Sequence, residues 1–292
     1  MSRHALRTRH RDDDAPTLVI AVDRASLRLS PDNDAWGGAG FITQLRVLSA
    51  RSLRTAFGDY RLVFFGLLQP VVILLLFSQV FAGIGDMPGV VAYDGYINYL
   101  MPATLVMIAM TTAMASGAAL LSEIYSGWVG RLRTMPINLV AVLAARTVSD
   151  AVRLTVQLVV ASAAGVFALG FKPGGMAGMA AAIAVAVAVG WGLSWLFIAI
   201  ATWQSKPELM QAASFVVMFP LMFGSSAYVP LDAMPTWIRV LSTVNPLTYA
   251  IDATRALAVG MPVGGELVAA LALAAVAAVL GGSVATRTFR AR

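Results

Sequence analysis

Long apolar runs alternate with short polar segments along most of this chain, and the alternation predicts its helices. A bilayer-crossing helix needs about 20 predominantly apolar residues. Six segments come close to or exceed that length: residues 62–83, 97–121, 138–170, 176–203, 209–225 and 265–286. The pattern therefore predicts an all-α membrane protein with six transmembrane helices.

The segment 40–61, directly before the first predicted span, has apolar positions at helical spacing that three arginines interrupt. These are Arg46, Arg51 and Arg54. An amphipathic helix in the membrane interface fits this pattern, with the arginines reaching anionic head groups. A soluble helix would show the same periodicity, but the position beside a span favours the interfacial helix.

The chain divides into a polar N-terminal tail and a predicted transmembrane domain. Residues 1–38 are polar and mixed in charge, which predicts a disordered cytoplasmic tail without a secretory signal. Residues 39–292 form the transmembrane domain. Within it, segment 225–262 is broken by Pro230, Pro235 and Pro246, so we expect short outer re-entrant helices between the fifth and sixth spans.

The composition indicates the class of protein, and the positions of the basic residues indicate its orientation in the membrane. The chain is 59% hydrophobic and 12% charged, whereas soluble domains carry about 25% charged residues. The net charge of +6 comes from basic residues that lie beside the spans. This indicates positive-inside topology rather than nucleic-acid binding, with both termini and segment 123–137 in the cytoplasm.

The sequence does not contain the motifs of several common kinds of metal or nucleotide site. The chain has no cysteine, no G-x-x-x-x-G-K-[ST] loop and no H-E-x-x-H motif, so Cys-ligated metals and P-loop binding of ATP are not expected. Arg146, Asp150 and Arg153 share one face of the third span. They form either a self-neutralised ladder near the inner interface or a coupling contact, and the pattern favours the ladder.

Two local motifs carry a resemblance to a known family. The first is E-x-x-x-G-x-x-x-R-L-R-x-x-P, from Glu123 to Pro136. The second is V-P-L-D-x-M-P-x-W-I, followed by N-P-L-T-Y and an alanine-threonine-arginine that ends at Arg255. With six predicted spans, residues 40–290 resemble the permease subunits of ABC-2 type exporters, in particular the daunorubicin-resistance-like bacterial permeases.

The resemblance implies a division of labour between this chain and its partners. Two permeases, either two copies or two related chains, would bind two copies of a separate ATPase, which holds the ATP and Mg²⁺. This chain would have no cofactor and no catalytic activity of its own. Segment 123–137 would either contact the ATPase as a coupling helix or be a plain charged turn, and the resemblance favours coupling through Glu123, Gly127, Arg131, Arg133 and Pro136.

The resemblance also implies where a cargo passes. The pathway would lie between the two permeases, lined by the first, second and fifth spans. A methionine stripe at helical spacing is either core packing or an adaptable binding surface. The predicted pathway residues are Gln69, Met107, Met110, Met114, Phe215, Met218 and Met222, and the predicted outer gate comprises Tyr228, Pro230, Pro235, Trp237, Asn245 and Pro246.

The expected function is outward movement of an amphipathic or lipophilic drug, antibiotic or complex lipid across the bacterial cytoplasmic membrane. A polysaccharide or glycolipid exporter is the first alternative, and it would favour more aromatic rings along the pathway. An ATPase-independent channel or secondary transporter, a membrane enzyme and a non-transporting scaffold remain further alternatives. The spans have no chain of acidic residues of the kind that proton-coupled pumps use, which argues against the secondary transporter.

Overall fold

The computed structural model describes residues 40–58, 60–127, 139–204 and 206–291, and in these ranges the chain is helical without strands. Each predicted span forms a helix. The predicted tail, residues 1–38, lies outside the described residues. The helices are α1 (Phe41–Gly58), α2 (Tyr60–Val80), α3 (Pro88–Val91), α4 (Tyr96–Tyr125), α5 (Leu139–Ala168), α6 (Met176–Trp203), α7 (Pro207–Phe223), α8 (Thr236–Val244), α9 (Pro246–Val259) and α10 (Gly265–Ala291).

Among the described residues, four helices are long and apolar enough to cross a membrane: α4, α5, α6 and α10. The apolar parts of α2 and α7, Phe64–Val80 and Glu208–Phe223, are shorter than these. Proline lies inside α2, α4 and α7, at Pro70, Pro102 and Pro220, and each helix continues past it. The described residues therefore form a helical membrane protein with four candidate spans.

The core lies between α4 and α6. In the most apolar stretch of α4, 72% of the residues are buried, whereas in that of α10 only 17% are buried. Because a helix that is apolar on all sides needs either protein or lipid around it, α4 forms the centre and α10 turns most of its surface outwards. Large side chains that are fully buried include Leu100, Leu105 and Phe197.

Glycines in and just before the first turn of α6 bring this part of the chain into backbone contact with α9. A Cβ added at Gly174 would lie 2.2 Å from the carbonyl oxygen of Val259, and one at Gly178 would lie 2.3 Å from that of Leu257. The Gly174 N–H also donates a hydrogen bond to the carbonyl oxygen of Ala258 at 2.9 Å. Glycine at both positions allows this approach, as in other small-residue contacts between membrane helices.

Two short helices, α8 and α9, occupy the proline-broken segment between α7 and α10, with a 3₁₀ turn at Leu231–Ala233 before them. Pro246 is the first residue of α9, where its missing N–H costs little. Short helices thus occur where the prolines predict them.

Candidate functional site at the two ends of the bundle

The end of the bundle where α4 finishes and α5 starts is called here the loop end. α4 stops because Gly127 adopts a left-handed conformation with φ of +72°, which glycine accepts readily. The Glu123 carboxylate lies 2.7 Å from a guanidinium nitrogen of Arg146 on α5. This ion pair joins the two helices just before the loop. The other predicted coupling residues, Arg131, Arg133 and Pro136, lie outside the described residues.

Polar side chains continue from this ion pair along the contact between α4 and α5, and we call them the polar ladder. The Ser116 hydroxyl donates a hydrogen bond to the Asp150 carboxylate. The Thr112 hydroxyl donates to the Gln157 side-chain oxygen at 3.0 Å. The ladder consists of Thr112, Ser116 and Glu123 on α4 with Arg146, Asp150 and Gln157 on α5.

Arg146, Asp150 and Arg153 lie on one face of α5, as their spacing predicts. The Arg146 Nε is 3.8 Å from an Asp150 carboxylate oxygen, and the Arg153 Nη2 is 4.0 Å from the other. Both distances exceed those of hydrogen bonds. Among the described residues, the buried Nε atoms of Arg146 and Arg153 have no hydrogen-bond acceptor. Together with Glu123, these residues supply two positive and two negative groups, but the hydrogen bonding of the two arginines is incomplete.

α1 is held against α5 at the loop end. The buried Ser49 hydroxyl donates to the Ala145 carbonyl oxygen at 3.3 Å, and the Ser149 hydroxyl donates to the Ser49 carbonyl oxygen at 3.2 Å. Arg46, Arg51 and Arg54 are exposed. α1 thus packs on α5 through Ser49 and exposes its three arginines, and its place in the membrane interface stays a prediction.

The opposite end of α4 carries residues 224–262 and is called here the cap end. Its centre is Arg255, whose residue surface is 3% exposed. Its guanidinium donates to the Asp252 carboxylate at 2.8 Å, to the Ser226 carbonyl oxygen at 2.8 Å and to the Tyr99 carbonyl oxygen at 3.1 Å. It also lies 3.8 Å from the centre of the Tyr99 ring. Arg255 thus joins α4, α9 and the segment after α7.

Two further hydrogen bonds complete this arginine cluster. The Ser226 hydroxyl donates to Asp252 at 2.7 Å, and the Tyr99 hydroxyl donates to the Ser226 carbonyl oxygen at 2.7 Å. A buried charge is stable only when it is paired and hydrogen-bonded, and this one is both. The cap end is therefore fastened to α4 through an ionic cluster in which each guanidinium nitrogen of Arg255 has an acceptor.

The predicted gate residues have distinct positions at the cap end. Asn245 caps α9 by accepting from the Leu247 N–H, and its amide donates to the carbonyl oxygens of Leu221 and Gly224. Trp237 is 71% exposed. Burial raises the pKa of Tyr228 above its ordinary value. The remaining gate residues have three places: Pro230 is buried, Pro235 precedes α8 and Pro246 begins α9.

The predicted pathway residues divide between core and surface. Three are buried inside this chain (Met107, Met110 and Met218), two are half-buried (Met114 and Met222), and two are exposed (Gln69 and Phe215). The buried methionines belong to the cluster where α4, α6 and α9 meet. In this single chain most of the methionine stripe therefore packs in the core.

An aromatic row runs along α7 instead. Phe215, Phe219 and Phe223 are each about half exposed. Their ring centres follow one another at 6.3 Å and 5.4 Å, and Tyr228 continues the row at 5.7 Å. Phe77 on α2 lies 5.0 Å from Tyr228. The row gives α7 a continuous aromatic surface.

A comparison with protein families matches residues 43–259 to the ABC-2 type transporter model. The chain belongs to the ABC-2 type transporter family. With its long apolar helices, the family identifies a membrane-embedded protein.

Curated relatives agree with the family. The chain is 31% identical, over 65% of its length and 66% of the relative's, to a daunorubicin resistance ABC transporter permease protein, DrrB1, of Streptomyces coeruleorubidus. It is 25% identical, over 76% of its length and 79% of the relative's, to a probable doxorubicin resistance ABC transporter permease protein, DrrC, of Mycobacterium tuberculosis. A putative transport permease, ycf38, of Cyanophora paradoxa is 28% identical, with 65% of each chain covered. The chain thus spans just under two thirds of the length of the first of these relatives.

Sequence reasoning missed the arginine cluster and half of the polar ladder. Arg255 and Asp252 are three residues apart in an apolar segment, a spacing that can signal a helical ion pair. Thr112, Ser116 and Glu123 repeat at four and seven residues, which puts polar groups on one face of α4. Both patterns can be seen in the sequence, but neither shows which other helix carries the residues that they contact.

Proposed function

We propose that this chain is the membrane permease subunit of an ATP-driven exporter. The observation that carries the proposal is the family match over residues 43–259. The relatives named as daunorubicin and doxorubicin resistance permeases support it. If α2 and α7 cross together with the four longer helices, the chain has six spans and both termini lie in the cytoplasm.

The loop end faces the cytoplasm in this proposal. Basic residues gather there, including the exposed Arg46, Arg51 and Arg54 of α1 and the two arginines of the loop. Positive residues beside spans favour the cytoplasmic side. The membrane concerned is then the bacterial cytoplasmic membrane.

Coupling to a separate ATPase would pass through segment 123–137. The Glu123–Arg146 ion pair supports this, because it connects the helix before the loop to the helix after it. A force on the loop would then move α4 and α5 together, and α4 is the most buried of the candidate spans. Two ATPase copies would hold the ATP and Mg²⁺, and a second permease would complete the pathway.

The cargo is an amphipathic or lipophilic compound such as a drug, an antibiotic or a complex lipid. The half-exposed aromatic row on α7 supports this class, because flat rings stack well on phenylalanine. The same row would also suit the rings of a polysaccharide or glycolipid, which is the second candidate. The two candidates are distinguished by measuring, with the same preparation, the transport of a drug and the transport of a polysaccharide or glycolipid.

The test uses vesicles that contain this chain with its co-purifying ATPase. ATP-dependent efflux of doxorubicin is compared between wild type and an Arg131→Ala/Arg133→Ala double variant. We expect the double variant to lose most ATP-dependent efflux and to retain less ATPase in pull-down. An Arg287→Ala/Arg290→Ala variant is the matched control, because it removes the same charge from the end of α10.

Unchanged efflux and ATPase binding in the loop variant would show that segment 123–137 is only a charged turn. Efflux that persists without any ATPase would support a channel or secondary transporter instead. For the cargo, Phe219→Ala is compared with Val216→Ala, because Val216 is an exposed residue of the same helix outside the aromatic row. Loss of drug efflux only in Phe219→Ala would support the aromatic pathway.

A further inference from the structure

Pro70 lies at the centre of α2, ten residues after Tyr60 and ten before Val80. Proline has no backbone N–H, so the carbonyl oxygen four residues before it loses its donor within the helix. In α2 this oxygen belongs to Gly66. It lies in the apolar part of the helix, Phe64–Val80, where an unpaired backbone group costs free energy unless a neighbouring helix supplies a partner.

Gln157 of α5 supplies that partner. Its side-chain nitrogen donates to the Gly66 carbonyl oxygen at 3.4 Å. A Cβ at Gly66 would lie 3.6 Å from the same nitrogen, so the amide faces the backbone of α2 directly. The oxygen of this amide accepts from the Thr112 hydroxyl of α4 at 3.0 Å. Because Thr112 holds the oxygen, the nitrogen stays turned towards α2.

The two halves of α2 on either side of Pro70 pack differently. In the half towards the cap end, residues 71–80, Leu74 is 1% exposed and belongs to the core. In the half towards the loop end, residues 60–69, none of the described side chains is buried. The cap-end half is therefore fixed by packing, whereas the position of the loop-end half depends on fewer contacts, of which the Gln157 hydrogen bond is one.

The contact between Gln157 and Gly66 is weak enough to open. Its length of 3.4 Å exceeds the distance of about 2.7–3.2 Å that is usual for an N–H···O hydrogen bond. A neutral hydrogen bond contributes little net stability, and Gly66 has no side chain that would interlock with α5. Proline is also one of the few causes of sharp bends in helices. α2 thus combines a flexible point with one firmly packed half and one lightly held half.

We propose that α2 is a hinged helix, in which residues 60–69 swing about Pro70 and the Gln157 amide is a latch that holds them against α4 and α5. When the latch is closed, the Gly66 carbonyl oxygen has its partner. When it opens, α2 separates from α5 at the loop end while the packing of Leu74 is unchanged. The proposal is independent of the proposed function, because it requires neither the ATPase nor a cargo. In an exporter of the proposed kind, this half of α2 would be a movable wall of the pathway.

The first test is a double-mutant cycle on the full chain in lipid nanodiscs, followed by the unfolding temperature. Gln157→Met keeps the length of the side chain but has no N–H, so it leaves the Gly66 carbonyl oxygen unpaired. Pro70→Ala returns a donor to this oxygen from within α2. We expect Gln157→Met to lower the unfolding temperature of wild type, and Pro70→Ala to cancel at least half of that loss. Pro220→Ala is the matched control, which should cancel none of it, because it restores a donor in α7 rather than in α2.

The second test measures the movement itself. The chain has no cysteine, so spin labels on introduced cysteines report only on the chosen positions. One pair joins Phe65 in the loop-end half of α2 to Leu280 on α10, and the control pair joins Leu75 in the cap-end half to Leu280; all three residues are exposed. With labelled chain diluted by unlabelled chain, Gln157→Met should at least double the width of the Phe65 distance distribution and leave that of Leu75 unchanged. Pro70→Ala should restore the narrow distribution.

Each result decides for or against the latch. An equal loss of unfolding temperature from Gln157→Met in the wild-type and Pro70→Ala backgrounds would overturn the proposal, because the amide would then not serve the freed carbonyl oxygen. An unchanged Phe65 distribution would overturn it as well, since the contact would be structural and α2 would not swing. If Gln157→Met alone does not fold, folding of the Pro70→Ala/Gln157→Met double variant supports the latch, and failure of both variants to fold overturns it.

Discussion

The two ends of α4 carry ionic clusters of similar composition, but the clusters differ in how completely their hydrogen bonds are made. At the cap end, each guanidinium nitrogen of Arg255 donates to a protein oxygen at 3.1 Å or less. At the loop end, Arg146 and Arg153 lie 3.8 Å and 4.0 Å from Asp150, and their Nε atoms have no acceptor in the described part of the chain.

The difference indicates different tasks. A cluster in which every nitrogen of a buried guanidinium has an acceptor favours one arrangement, so it fixes residues 224–262 on α4. An incomplete cluster retains capacity for another acceptor and loses less when its geometry changes. The cap end is therefore expected to be the stable part of the molecule, and the loop end the part that responds to partners.

The largest expected effect comes from removing the centre of the cap-end cluster. Arg255→Met leaves Asp252 and the carbonyl oxygens of Ser226 and Tyr99 without their cation. Breaking a buried ion pair from one side costs about 3–5 kcal/mol. We expect the free energy of unfolding in mixed micelles to fall by that amount, measured by titration with a denaturing detergent.

Arg239→Met is the matched control for this change. Arg239 also lies at the cap end and also donates to backbone carbonyls, those of Leu231, Asp232 and Met234, but it is exposed. Its loss should cost about 1 kcal/mol or less. Equal losses for the two arginines would mean that the Arg255 cluster does not fasten the cap end.

The next effect tests the backbone contact at the cap end. Gly174→Ala would place a Cβ 2.2 Å from the Val259 carbonyl oxygen, and a backbone atom cannot move aside as a side chain can. Overpacking of this kind costs about 1–3 kcal/mol. The same unfolding measurement applies, with Gly175→Ala as the control, because a Cβ at Gly175 meets nothing within 4 Å. Similar stability of both variants would contradict the close contact between α9 and the residues just before α6.

Helix positions followed from the sequence, because length and apolar content suffice to define a helix in a membrane. The predicted span 176–203 coincides with α6, whereas the predicted 97–121 stops four residues before α4 does. In the sequence, the charged Glu123 marks the end of the apolar run. In the structure, α4 continues past it because Glu123 pairs with Arg146. The pairing depends on a residue of another helix, so the apolar pattern does not contain it.

The candidate sites were less predictable for the same reason. Tyr99 and Arg255 are 156 residues apart, and only folding shows that the arginine lies on the tyrosine ring. The methionine stripe of α4 illustrates the converse. Its spacing predicts one face but not whether that face meets the pathway or α6 and α9, and Met107 and Met110 pack in the core.

A smaller effect is expected at the loop end, where Glu123 pairs with Arg146 near the surface. Partly exposed ion pairs contribute about 0.2–1 kcal/mol. A double-mutant cycle with Glu123→Gln and Arg146→Gln should give a coupling energy in that range from unfolding titrations, well below the cost of Arg255→Met. A coupling energy as large as the Arg255 effect would remove the contrast between the two ends.

The smallest effect is expected for an exposed ion pair, the one between Lys172 and Asp94. Lys172 donates to the Asp94 carboxylate at 2.9 Å, and this hydrogen bond and the lysine charge lower the pKa of Asp94 from its ordinary value of 3.8. A lowered pKa means that the stabilisation is complete above the unfolded-state pKa and is lost as the pH falls through the folded-state pKa. Asp94→Asn suits the left-handed φ of +55° and removes the charge.

Thermal unfolding of wild type and Asp94→Asn should therefore differ slightly at neutral pH and converge below about pH 4, since protonation removes the same interaction from wild type. Both side chains are about three quarters exposed, so solvent screens the pair and the neutral-pH difference should be smaller than that of the loop-end pair. A difference that persists unchanged at low pH would assign the effect to the backbone at residue 94. The contrast with Arg255 would then reflect conformation at Asp94 rather than the burial of charge.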